Sequence, residues 1–149
     1  VIIKPYSLND AVYVAECMRE WNRQEWLALS WSGNPFDMAR LVAGPMARVV
    51  LDGALPVAVF GASAVHPGVW QAWAFSTDEF PRVVRSLTKA FRRDMLPALK
   101  HIGAHRIEVR SLAGSDVVDR WLRWLGAERE CTLRRYGRNG EDFHLYAWT

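Results

Sequence analysis

The sequence predicts a single α/β domain spanning residues 1–149, with a mixed, twisted sheet of about seven strands and helices on both faces. Three observations carry that reading. Short apolar runs between 47 and 75 are separated by turn signals and read as an antiparallel meander. After it the pattern changes to strand, helix, strand, which is a parallel crossover. The chain then closes on two strands around Asn139-Gly140, a hairpin signal.

The elements follow in order. Val1 to Lys4 reads as a short strand ended by Pro5, and Ser7 and Asp10 have the spacing of a helix start. Ala11, Val14, Ala15, Met18 and Trp21 recur at helical spacing. A second short helix is predicted over Glu25 to Leu29, and Ser30 to Pro35 has loop composition. Arg48–Leu51 and Pro56–Val65 form a hairpin about Asp52-Gly53, and Val57 to Ala62 is apolar on both faces, as a central strand requires. Val69–Phe75 follows after Pro67-Gly68.

Thr77 or Asp78 can cap the next helix, whose buried stripe is Phe80, Val84, Leu87, Phe91 and Met95. Pro97 should kink it and Gly103 end it. Arg106–Ser111 is a strand, Ser115 caps a helix that stops at Gly126, and Arg129–Tyr136 and Asp142–Trp148 are the last two strands. The order is β-α-α-β-β-β-α-β-α-β-β.

Composition narrows the function classes. Half of the residues are apolar and eight are tryptophan, which predicts a bulky core rather than a sticky groove. The net charge is +3, and sixteen of the nineteen cations are arginine, which suits phosphate or carboxylate recognition. The cations are not interleaved with aromatics in one stretch, which disfavours nucleic-acid binding. Cys17 and Cys131 read as buried, reduced thiols of a cytosolic protein, and no spacing suggests a metal site. No apolar run reaches a membrane-spanning length, and no signal peptide is expected.

The whole order resembles the GNAT superfamily of acyl-CoA N-acyltransferases. Ile2 to Ala11 is similar to that family's opening strand and helix cap. Arg106 to Arg110, followed by Ser115-x-x-Val118-x-x-Trp121-Leu122-x-x-x-Gly126-Ala127, is similar to its strand-helix segment. The resemblance implies acetyl-CoA or CoA as ligand, with Phe75, Ser76, Thr77, Arg82 and Ser115 as contacts.

Two departures matter. Where the family carries a glycine-rich diphosphate loop, this chain has Ser76-Thr77-Asp78-Glu79-Phe80-Pro81-Arg82. That stretch lacks glycine, loses one N–H to proline and carries two acids, so coenzyme binding is expected to be weak or absent. Where many members carry a tyrosine acid, this chain has Leu122. The pattern also looks like small GNAT-like proteins of tailed bacteriophages, of the internal-virion-protein type, through Trp73 to Pro81 and Arg135 to Phe143. That implies the cytoplasm of an infected bacterium and either an N-acetyltransferase or an inactive scaffold that binds a protein partner or a second copy.

Glu25, Glu108 and Asp116 are candidate general bases, with Glu108 selected; it lies mid-strand, where its side chain could face helix, sheet or the central cleft. His66 and His144 are weaker candidates. Arg82, Arg85, Lys89, Arg92 and Arg93 form a basic helix face, readable as a phosphate-contacting groove wall or as a solvated surface. Trp21, Trp26 and Trp31 lie on the segment that would arch over an acceptor, as pocket wall or as sheet cover.

Overall fold

A computed structural model describes all 149 residues. Its strands are β1 (Ile2–Pro5), β2 (Arg48–Asp52), β3 (Leu55–His66), β4 (Val69–Ser76), β5 (Arg106–Leu112), β6 (Glu128–Leu133) and β7 (Phe143–Trp148). They form one sheet in the order β1-β2-β3-β4-β5-β7-β6. Every pairing is antiparallel except β4 with β5, the predicted crossover.

The helices are α1 (Leu8–Glu16), α2 (Glu20–Leu29), α3 (Pro35–Leu41), α4 (Val84–Ala90), α5 (Leu96–His101) and α6 (Asp116–Trp124). They cover both faces of the sheet and divide the core in two. One half packs Val14, Met38, Val59 and Phe75 beneath α1 and α3. The other packs Phe60, Leu87, Leu99, Ile107 and Tyr146 beneath α4, α5 and α6. β3 serves both, with Val57 to Phe60 almost fully buried, because its residues alternate between two covered faces. Gly61 continues this strand where a Cβ would lie 2.7 Å from the Met46 carbonyl oxygen and 2.8 Å from the Trp73 ring, so only glycine fits.

Local chemistry explains the departures from expectation. The helical spacing of 11–21 belongs to two helices: α1 ends at Glu16, Met18 forms an isolated bridge with Thr77, and Trp21 begins a new face on α2. A third helix, α3, starts where loop composition ended, with Asn34 Oδ1 accepting from the Phe36 N–H and Pro35 in the first turn. Pro97 produces no sharp break. The α4 axis runs through a π-helical turn, Phe91–Met95, directly into α5, a local widening that accommodates the missing N–H.

Asn139-Gly140 is no two-residue hairpin turn. The β6–β7 connection spans 134–142, and its Arg138 reaches back to donate to the carbonyls of Ser30 and Trp31 at the end of α2. Both cysteines are exposed rather than buried. Of the eight tryptophans only Trp148 is buried, so the excess does not build a closed core; several of these rings line an open groove instead.

Candidate functional site: the cleft between β4 and β5

β4 and β5 are registered over three residue pairs only, Val69–Gln71 against Arg106–Glu108. Beyond Gln71 the strands part, and a cleft of about 500 Å³ opens between them. Its lining is mostly apolar, from β4 (Ala72 to Ser76), α4 (Val84, Leu87) and α6 (Val118, Trp121).

Parting two strands strips backbone groups of their partners, and those groups must be satisfied otherwise. Helix α2 does this across the mouth of the V. On the β4 side, Asn22 Oδ1 accepts from the Ser76 N–H at 3.1 Å, and Trp26 Nε1 donates to the Ala74 carbonyl at 3.4 Å. On the β5 side, Glu25 Oε2 accepts from the Leu112 N–H at 3.0 Å and the Ser111 hydroxyl at 3.1 Å. The α1–α2 link fixes this placement, since Arg19 donates its N–H to the Ser76 carbonyl at 2.9 Å.

Glu25 is the chemically distinctive group of the cleft. Burial raises its pKa from 4.5 to about 7, against two hydrogen bonds that pull it down. Desolvation therefore outweighs hydrogen bonding, and no ion pair compensates the carboxylate. A carboxyl group that is half ionised near neutrality, in a cleft, is suited to taking and returning a proton. Two buried donors in the same wall, Trp21 Nε1 and Arg110 Nε, have no hydrogen-bond partner. Glu25 was one of three acids singled out in the sequence; its i, i+4 spacing from Trp21 places both on one helix face, but only β5 makes that face matter.

Glu108 lies elsewhere. It is buried, outside the cleft lining, and held by Arg106 Nε at 2.8 Å and Arg110 Nη2 at 3.0 Å. Arg106 in turn grips Glu130. The Glu108 carboxylate is thus shared by two guanidinium groups of its own strand, away from the cleft. Asp116 is exposed at the start of α6. His144 meets Thr132 Oγ1 at 3.0 Å on the far strands, and burial lowers its pKa.

The predicted ligand contacts divide. Phe75, Ser76 and Ser115 line the cleft. Ser115 Oγ accepts from the Val118 N–H, the cap that starts α6. The Thr77 N–H is spent on the Val57 carbonyl at 2.9 Å, and the Ser76 N–H on Asn22, so the expected pair of free amides is already engaged. Arg82 points out of the cleft, 65% exposed, paired with Glu79 at 2.8 Å and with Asp52 at 3.5 Å.

The turn before α4 is closed from within. Glu79 donates its N–H to Thr77 Oγ1, and Phe80 donates to the Thr77 carbonyl. Arg82 donates to Glu79 and Val83 to Phe80, while Pro81 has no N–H. A helix start binds a diphosphate through amides that lack internal partners; here four of the turn's amides are engaged internally, and Asp78 keeps a free N–H beside its own carboxylate. Phe80 stands edge-on to Trp121 across the cleft at 5.7 Å, and Trp121 Nε1 donates to Thr88 Oγ1 of α4 at 3.0 Å. Leu122 is buried in the cleft wall. The lining therefore fits the apolar arm of an acyl-CoA, while the turn offers its diphosphate few free amides and two carboxylates.

No protein-family model matches the chain, and no curated protein is similar to it. Solved structures are. Ard1 from Thermoplasma volcanium aligns with a TM-score of 0.76 at 16% identity, covering 99% of this chain and 95% of that one. The ribosomal-protein-S18-alanine N-acetyltransferase of Escherichia coli gives 0.71 at 14%, covering 98% and 91%. The protein yncA of Salmonella typhimurium, solved with its cofactor acetyl-CoA, gives 0.71 at 10%, covering 99% and 92%. With this strand order, the parallel β4–β5 pair and the cleft that opens from it, the chain has the GNAT fold.

Proposed function

We propose that this protein is an acyl-CoA-type N-acyltransferase, moving an acyl group from a pantetheine thioester to an amine, with Glu25 as general base. The observation that carries the reading is a carboxyl group poised at about 7 in the wall of the β4–β5 cleft. Support comes from a neighbour solved with acetyl-CoA and from another named for acetylating an alanine amine.

The cleft's apolar walls would take the pantetheine arm and exclude water from the thioester. The amine nitrogen attacks the carbonyl carbon; a C–N bond forms and the C–S bond breaks. Glu25 accepts the proton that the amine loses, and that proton meets the need of the departing thiolate. Leu122 cannot supply one, so return passes through Glu25 and solvent. The closed turn implies a weak grip on the nucleotide half, with affinity for acetyl-CoA no tighter than about micromolar.

Thiol release from acetyl-CoA, measured with a panel of amines and peptide N-termini, tests this. Turnover that depends on the amine and is lost in Glu25→Gln supports it. Absence of turnover with every amine at millimolar acetyl-CoA would remove it.

A second reading has one observation in its favour, the same closed turn. In it the domain is an inactive scaffold, a phage virion component or a modulator of a host enzyme, acting as a homodimer or on a protein partner. Light scattering that finds only monomer, with acetyl transfer intact, would dispose of it.

A further inference from the structure

We infer that the thioester donor is carried on the phosphopantetheine arm of a small acidic carrier protein, which docks on the basic face of residues 84–101 and the exposed apolar edge of α6. The inference rests on the transferase reading above and names its donor.

The cleft and its rim make opposite demands on a ligand. The cleft fits an apolar arm, while the turn at 77–83 has most of its amides engaged internally, loses one to Pro81 and presents Asp78 and Glu79. A nucleotide's diphosphate meets two carboxylates there. A carrier-bound arm ends in a single phosphodiester and needs no diphosphate site.

Beside the cleft, the charge reverses. From Val84 to His101 the chain holds five cations, Arg85, Lys89, Arg92, Arg93 and Lys100, against one acid, Asp94. All five are exposed, and none takes part in an ion pair. The same stretch walls the cleft from its other side through Leu87 and Phe91, so the basic face is the outer surface of the cleft's own wall.

The face is also partly apolar. Val117 is 67% and Trp124 59% exposed on α6, and the Arg92 guanidinium lies 6.0 Å over the Trp124 ring. Exposed aromatic and arginine side chains next to unpaired cations suit an acidic protein surface. A free nucleotide would leave most of them unused. In the transfer itself the C–S bond to the arm breaks, the C–N bond forms, and the arm leaves as a free thiol with the proton taken from the amine.

The test compares three donors of the same acyl group: acyl-CoA, acyl-pantetheine, and a bacterial acyl carrier protein loaded with it. The expected kcat/KM for the carrier-bound donor exceeds that for acyl-CoA by at least about tenfold at low salt, and the advantage collapses near 0.5 M salt, where exposed charges are screened. The double reversal Arg85→Glu/Arg92→Glu should lower the carrier-to-pantetheine rate ratio by about thirtyfold. If acyl-CoA serves as well as the carrier, or if the carrier's advantage ignores salt and both substitutions, the docking face is wrong and the transferase stands. If no thioester is turned over, acyl-pantetheine included, the transferase reading falls and takes this one with it.

Discussion

The two ends of the β4–β5 cleft are built to opposite rules. At the α2 end, a carboxyl group is buried with two hydrogen bonds and no counter-charge, an arrangement that stability alone does not favour. At the α4 end, the turn engages most of its backbone amides internally and pairs its arginine with a carboxylate. The fold supplies both ends as geometry; only the first retains a poised group, so chemistry and coenzyme grip can be separated within one cleft.

The sharpest way to break this contrast is at Glu25. Glu25→Gln keeps an oxygen that can accept from Ser111 and Leu112 but cannot take a proton. We expect kcat/KM to fall by about 10²–10⁴, the usual contribution of a positioned general base. The wild-type rate should rise with pH through about 7, as the carboxyl ionises. A pH profile unchanged by the substitution would show that Glu25 only closes the strand edge.

The same group should report in stability with a definite sign. Its folded pKa lies above its ordinary value of 4.5, so the folded state binds more protons than the unfolded between pH 4.5 and about 7. Its contribution is fully present below 4.5 and is lost as pH rises through about 7. Denaturant titrations from pH 4 to 8 should therefore show wild type losing stability relative to Glu25→Gln. Parallel curves would mean that the carboxylate is solvated in the folded state.

Much of the fold was legible in the sequence, and the reasons are local. The two-faced apolar run at Val57 to Ala62, the serine cap at Ser115 and the change from meander to crossover each act over a few residues. The site was less so. The missing glycines of the 76–82 stretch were visible. Glu25 looked like any surface acid, because its burial comes from Ser111 and Leu112, 86 and 87 positions away. For Glu108 the sequence left the facing of a mid-strand side chain open; in the fold it meets Arg106 and Arg110. The tryptophans misled, since composition cannot tell a core from a groove.

Glu108 supplies a smaller and purely structural effect. Glu108→Ala leaves two guanidinium groups without their shared partner in a largely buried setting. A cost of about 2 kcal/mol is expected, below the range for fully buried pairs because both arginines keep some solvent. Chemical denaturation gives that number directly. Activity per folded molecule should change by less than about threefold, since Glu108 does not line the cleft. A thousandfold loss in folded enzyme would return the base to Glu108 and overturn the assignment to Glu25.

The smallest effects are expected at the closed turn. Asp78 is exposed and unpaired, so Asp78→Asn removes one like charge from the path of any diphosphate. At an exposed site that repulsion is worth about 0.5–1 kcal/mol, a gain of about two- to fivefold in acetyl-CoA affinity. Arg82 is the instructive partner. From sequence alone its removal should weaken coenzyme binding, because it sits at a helix start and carries positive charge. In the folded chain its guanidinium is held by Glu79 and lies near Asp52, pointing away from the cleft. Arg82→Ala should therefore shift the dissociation constant, read by titration calorimetry, by less than about twofold. A tenfold weakening would mean that Arg82 abandons both carboxylates for the ligand. The turn would then open on binding, and the contrast between the two ends of the cleft would hold only without ligand.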